Sequence, residues 1–120
     1  MKRRENADCL THCVAYYFGI NPARVPFFIE HDDWSKRLKR FFERRKLKIT
    51  PFAYSPKVWK HVGKVNKTTI VQGRSPRMKK YRKEHAVVYH GTKPIFDPHW
   101  SQKFIKGKPT WIWVISRKRA

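Results

Sequence analysis

The sequence predicts an α+β domain in which N-terminal helices pack on a small antiparallel β-sheet. Three observations carry this. Apolar residues recur at helical spacing through residues 8–18 and again through 33–46. Beyond residue 46 the pattern changes to short extended runs bounded by Pro, Gly and polar clusters. Helical runs come first and strand runs follow, the order of an α+β chain rather than of alternating βαβ units. The 120 residues suit a single domain, residues 1–120, and a composition of 40% hydrophobic and 15% aromatic residues is enough to build its core.

Residues 8–18, DCLTHCVAYYF, form the clearest helix. The Asp8 carboxylate can accept the orphan N–H groups of its first turn, and Gly19 is placed to end it. Cys9, Cys13 and Tyr16 or Tyr17 share one side, while Leu10, Val14 and Phe18 make an apolar stripe. A helix apolar nearly all round belongs in the interior. Residues 20–32 contain Pro22 and Pro26 followed by Phe27, Phe28 and Ile29, a short turn or one-turn helix that docks aromatics into the core. His31, Asp32 and Asp33 read as a cap for the second helix, 33–46, whose buried stripe is Trp34, Leu38, Phe41 and Phe42.

Leu47–Tyr54 alternates weakly and ends at a Pro-bounded turn. Thr68–Gln72 reads as a strand. His85–Tyr89 is a strong one; the turn His90-Gly91-Thr92-Lys93 follows, and Pro94–Asp97 returns as the second arm of a hairpin. Thr110–Ser116, TWIWVIS, is the last strand, and the basic segment 77–83 is an exposed loop or β-turn before the His85 strand. No internal repeat or low-complexity linker interrupts the chain.

Charge is the most unusual property. Twenty-nine Lys and Arg stand against eight Asp and Glu, a net charge of +21. Self-repulsion on that scale is relieved by a polyanion or bound counterions, with nucleic acid the first candidate. The outer face of the second helix carries Lys36, Arg37, Lys39, Arg40, Arg44 and Arg45, with almost no balancing acid except Glu43. The loop from Arg74 adds Arg77, Lys79, Lys80, Arg82 and Lys83, and Arg117, Lys118 and Arg119 close the chain. Cations that meet phosphates release counterions and bind without regard to sequence. No helix-turn-helix, zinc-finger or RNA-recognition signature provides base readout. Trp100, Trp111 and Trp113 have the chemistry to stack bases, but core packing is the expectation for at least two of them.

Cys9 and Cys13 lie four residues apart on one helix face, where a disulfide would strain the helix, so both are expected as thiols in a reducing compartment. No apolar signal region follows the basic start MKRREN, and no window is apolar enough to span a membrane. Neither helix has an apolar face to spare for a membrane surface. These features place the chain in a cytoplasm or packaged inside a particle. No cofactor is expected. Metal binding is not expected either: the neighbouring helix positions His12 and Cys13 point to different sides, and no second Cys/His pair has zinc-finger spacing.

The residues with chemistry are Cys9, His85 and Asp97. A cysteine at a helix N-terminus has its thiolate favoured by unpaired N–H groups and the helix dipole. A histidine is the base best suited to take its proton near neutral pH. His85 opens a strand, and Asp97 ends the returning arm twelve residues later. A hairpin turning at 90–93 sets these two ends side by side, so the carboxylate can hold one ring nitrogen while the other faces a thiol. The hairpin supplies no reason for Cys9 to meet His85; that contact depends on the fold. Without the His85–Asp97 segment, Cys9 would read as an ordinary buried helix cysteine, the reading kept for Cys13. His90 and His99 flank the hairpin as polar residues, with His99 placed to line a cleft.

The stretch NADCLTHCVAYYFGI, then PARVPFF, SPR and HAVVYHGTKPIFDPHWS, resembles a compact group of papain-like proteins of bacteriophages and bacteria, similar to the bacteriocin-processing double-glycine peptidases. The resemblance covers both ends of the chain and the order Cys, His, Asp. It implies a papain-like fold and a thiol peptidase or amidase acting on a peptide or amide, with Cys9 as nucleophile, His85 as base and Asp97 as orienting residue. It also implies a host cytoplasm or a virion as location if the chain is phage-encoded. An alternative within it is a nucleic-acid-associated or virion protein on the same scaffold, with or without activity. One departure stands out. Papain-like peptidases carry a Gln a few residues before the nucleophile as an oxyanion donor, and here Arg3 stands six residues upstream. Asn6 is the nearest amide side chain, Gln72 a second candidate, and the Cys9 backbone N–H the other donor.

Overall fold

Helix α1 (Cys9–Phe18) is the centre of the core, as its all-round apolarity requires. The computed structural model describes residues 9–65, 67–74, 84–99 and 102–117; Asp8, the expected cap, lies outside them. Leu10, Cys13 and Val14 are fully enclosed, and each enclosed Leu or Val contributes about 1.5–3 kcal/mol. The helix stops at Gly19, whose φ of 67° is left-handed. There the Gly19 N–H donates to Tyr16 O and the Ile20 N–H to Ala15 O, closing the last turn. Two 3₁₀ turns, Pro22–Arg24 and Phe28–Glu30, then dock Val25 and Phe28 into the core.

Helix α2 (Trp34–Glu43) buries Leu38, Phe41 and Phe42 and leaves Trp34 half-buried. It ends three residues earlier than the pattern of 33–46 suggests. Lys46, at φ 64°, reverses the chain into β1 (Leu47–Ala53). Asp33 occupies the cap position but its carboxylate accepts from Arg37 Nε at 2.7 Å instead of capping the helix. That bond holds the Asp33 carboxyl below its ordinary value.

The first difference from the sequence expectation is α3 (Pro56–Val65), in a stretch read as extended or connecting. Its start has a physical signature. Ser55 Oγ accepts from the Val58 N–H, and proline occupies the first helical position, where no N–H is needed. The strands β2 (Thr68–Arg74), β3 (Glu84–His90), β4 (Lys93–Phe96) and β5 (Lys106–Arg117) follow. The last begins four residues before the expected Thr110.

These strands and β1 form one five-stranded sheet in the order β1-β5-β2-β3-β4, with every neighbouring pair antiparallel. Alternation along each strand sorts the two faces. Ile49, Ile70, Ala86, Val88, Trp113 and Ile115 join α1 and α2 in the main core. On the other face Val71 pairs with Val87 and Ile112, all buried, and α3 covers that side. Its Trp59 sets its ring edge-on to Tyr89 at 5.3 Å, and the Gly63 backbone approaches Thr92 closely. The architecture is therefore α+β as expected, with helices on both faces of the sheet. No helix among the described residues is long and apolar enough to cross a membrane.

Candidate active site

The end of β3 assembles the site. His85 is 2% exposed and its Nε2–H donates to Asp97 Oδ1 at 2.6 Å, within the hairpin whose spacing predicts that pair. With Nε2 committed, the ring's other nitrogen, Nδ1, is buried and has no hydrogen-bond partner among the described residues. Cys9 is the first residue of α1, and its Sγ accepts from the Ala86 N–H at 3.3 Å. The sulfur thus lies against the peptide that links His85 to Ala86. Two segments 77 residues apart in sequence meet there.

Asp97 is fixed by more than the imidazole. Oδ1 also accepts from the His99 N–H at 2.9 Å, and Oδ2 from the Phe104 N–H at 2.7 Å. Gln102 Nε2 donates to the carbonyls of Asp97 and His99, tying the loop to itself. Gln102 and Phe104 both adopt left-handed backbone, φ 56° and 60°, which non-glycine residues take only at a cost. The conformation at Phe104 turns its N–H toward the carboxylate. Burial alone would push the Asp97 carboxyl up. The hydrogen bonds from His85, His99 and Phe104 outweigh it and hold the group below its ordinary value, ionised and oriented.

Space beside His85 comes from a glycine. Gly73 stands opposite His85 in the β2–β3 register, and Ile105 packs into the place where a Cβ would sit, 2.9 Å from that position. Cys13, one turn along α1, is wholly enclosed. Burial pushes its thiol well up, and the neighbouring charges of Cys9 and Asp97 add to the effect. It is a core thiol, as expected.

Among the oxyanion candidates, Asn6 lies outside the described residues. Gln72 faces the same side of the sheet as Ala86, its register partner, and its Oε1 accepts from Trp113 Nε1 at 2.6 Å. Indole is only a donor, so the oxygen must face it and the amide NH₂ points the other way. Among the described residues no group of three or more His, Cys, Asp or Glu side chains is arranged to hold a metal ion. Nothing in the sequence pattern points to the His99 and Phe104 N–H groups as supports of Asp97, because backbone donors leave no mark in a side-chain pattern.

Of the cationic candidates, Lys36, Arg40 and Arg44 are exposed on α2 with Lys39. Arg37 is held by Asp33. Arg45 is exposed as well, and it also packs: its guanidinium lies 3.6 Å over the Phe41 ring, and Nη1 donates to Phe41 O. Arg77, Lys79, Lys80, Arg82 and Lys83 fall outside the described residues, as does Trp100.

The fold and these contacts define an α+β protein in which a helix-start thiol, a buried imidazole and a buried carboxylate come together at one strand end. No protein-family model, curated protein or solved structure matches the chain.

Proposed function

We propose that the chain is a thiol-dependent hydrolase of the papain-like class, acting on a peptide or amide bond. The observation that carries this is the junction at Ala86: the Cys9 sulfur accepts its N–H, one residue along from a histidine whose Nε2 is held by an ionised carboxylate and whose buried Nδ1 has no hydrogen-bond partner among the described residues. In this reading His85 Nδ1 takes the Cys9 proton. The N–H at the sulfur and the positive end of the α1 dipole favour the thiolate. Sulfur attacks the acyl carbon, the Cys9 N–H supports the oxyanion, and His85 returns the proton to the departing amine. Water then gives its proton to His85 and cleaves the thioester, restoring the thiol. Asp97 keeps the ring in the tautomer that leaves Nδ1 able to accept.

Iodoacetamide labelling followed by mass spectrometry tests this. Cys9 labels faster than Cys13, and His85→Ala removes the excess rate while leaving Cys13 slow. Equal, slow labelling of both thiols in the unmodified protein overturns the proposal.

The net charge of +21, with the exposed cations of α2, supports a second reading, compatible with the first: association with nucleic acid, in a cell or a virion, on this scaffold. Affinity for DNA or RNA then falls steeply between roughly 50 and 200 mM salt. Absence of binding at the lower concentration rejects it.

A further inference from the structure

The core face of the sheet holds a cleft of about 450 Å³ near the first turn of α2. Its apolar walls are Trp34, Pro51, Trp111 and Trp113, and its polar lining includes Gln72. Trp111 is 41% exposed, so a large apolar side chain is left showing in a concave site. Trp34 and Trp113 support it from inside, their rings 5.7 Å apart. Nothing in the proposed chemistry uses these indoles.

The sheet register connects the cleft to the thiol. Ala86 of β3 stands opposite Gln72 of β2, and Gln72 stands opposite Trp111 of β5. These residues form one row across the strands, all on the same face. The row begins at the residue whose N–H meets the Cys9 sulfur and ends in the indole cleft. Two strand spacings separate its ends, roughly 10 Å, the length of about three residues of extended chain at ~3.3 Å each. Midway, the Gln72 amide has its oxygen pinned by Trp113, which turns its NH₂ into a donor for a carbonyl on a chain laid along the row.

We infer that this cleft is a substrate subsite: it takes an aromatic or large apolar side chain of a peptide, about three residues from the bond attacked by Cys9. The inference rests on the thiol-hydrolase reading for what happens at Cys9, but the cleft's occupancy is measurable without any reaction. Three indoles and a proline ring recognise such a side chain by area and by ring stacking. The Gln72 amide fixes the backbone. The preference for a large over a small residue at that position is on the order of tenfold to a hundredfold.

Short peptides with blocked ends separate the parts. N-acetyl-phenylalanine amide is expected to perturb tryptophan fluorescence without slowing iodoacetamide at Cys9, because it fills the cleft and reaches no further. Acetylated tetrapeptide amides of three alanines and a terminal phenylalanine, in either orientation, perturb the fluorescence and also protect Cys9. Tetra-alanine does neither at the same concentration. Trp111→Ala removes the phenylalanine preference, while Phe52→Ala, an exposed aromatic on the opposite face, retains it. Equal behaviour of phenylalanine and alanine peptides overturns the subsite, as does a preference that survives Trp111→Ala. A fluorescence response to oligothymidylate alone, lost in Trp111→Ala, overturns it in favour of a base-stacking groove. Equal, slow labelling of Cys9 and Cys13 without peptide removes the hydrolase reading, and the fluorescence response then decides the cleft by itself.

Discussion

Replacing Asp97 by Asn isolates what the carboxylate does. The side chain accepts three hydrogen bonds, two at Oδ1 from His85 Nε2 and the His99 N–H, and one at Oδ2 from the Phe104 N–H. An asparagine of the same shape has one acceptor and one donor end. Its better orientation keeps the oxygen toward His85 and His99 and turns the NH₂ against the Phe104 N–H. One charge-assisted bond is then lost, about 1.5–3 kcal/mol, and a buried donor is left facing a donor, about 1–3 kcal/mol more. Relaxation of the left-handed backbone at Gln102 and Phe104 returns part of this, on the order of 1 kcal/mol. The net loss is about 3 kcal/mol, against a total stability of roughly 5–15 kcal/mol for a domain. Urea unfolding followed by tryptophan fluorescence reads it as a lower midpoint at unchanged slope. In the folded variant Cys9 labelling slows toward the Cys13 rate, because a neutral amide stabilises the imidazolium, formed when Nδ1 takes the thiol proton, less than the carboxylate does. A stability change below about 1 kcal/mol would refute the three-donor account, since a satisfied buried carboxylate is not exchanged so cheaply.

Acid unfolding follows from the same group. Asp97 has its folded carboxyl held low, so its contribution is present above the unfolded value near 3.9 and is lost as pH falls through the folded value; urea midpoints measured from pH 7 down to 2.5 drop below about pH 4, and Asp97→Asn flattens that limb. Cys13 gives the opposite limb: its folded thiol is raised, so stability is intact below the ordinary thiol value near 8.5 and declines as pH climbs from there toward the folded value, and Cys13→Ala reduces the slope in the same titration extended to pH 10. Gly73→Ala drives a methyl against Ile105 at 2.9 Å and costs about 1–3 kcal/mol; a double-mutant cycle with Ile105→Ala recovers part of it, whereas additivity in that cycle contradicts the contact. Arg45→Ala lowers stability by about 1 kcal/mol through the lost ring contact and carbonyl bond, while Arg44→Ala, at an equally exposed neighbour, changes the thermal midpoint by less than a degree or two.

The helices α1 and α2 and the hairpin were legible because each stretch has its own period and its own punctuation. Gly19 ends α1 by a backbone conformation that favours glycine, and the two-residue turn at Gly91-Thr92 returns β4 along β3. The His85–Asp97 pair was legible for the same reason, being local to that hairpin. Helix α3 was not. Gly63 and the β-branched Val58, Val62 and Val65 are all poor helix formers, and the stretch is helical because Ser55 caps it and Trp59 and Val62 bury against the sheet. Tertiary burial overrides weak local preference there. The commitment of Arg45 to the Phe41 ring was hidden too, since a cation on an outer face and one folded back over an aromatic share the same spacing.

The contact of Cys9 with the peptide between His85 and Ala86 has its cause in a strand that stops early. The β4 pairing with β3 runs only over Val88, Tyr89 and His90, with an irregularity after Val88. Asp97-Pro98 ends it, because proline has no N–H for the ladder. The β3 edge at Ala86 is therefore not taken up by β4, and its N–H donates to the Cys9 sulfur at the start of α1. The same break turns the chain so that Asp97, instead of continuing a strand, reaches back to the His85 ring and collects the His99 and Phe104 N–H groups. One dipeptide thus opens the edge for the thiol and supplies the carboxylate. Extending the strand would undo both: Pro98→Val, which allows β4 to pair further along β3, is expected to slow Cys9 labelling even though it leaves all three candidate residues in place. Unchanged labelling in a folded Pro98→Val protein would mean that α1, and not the end of β4, sets the position of the sulfur.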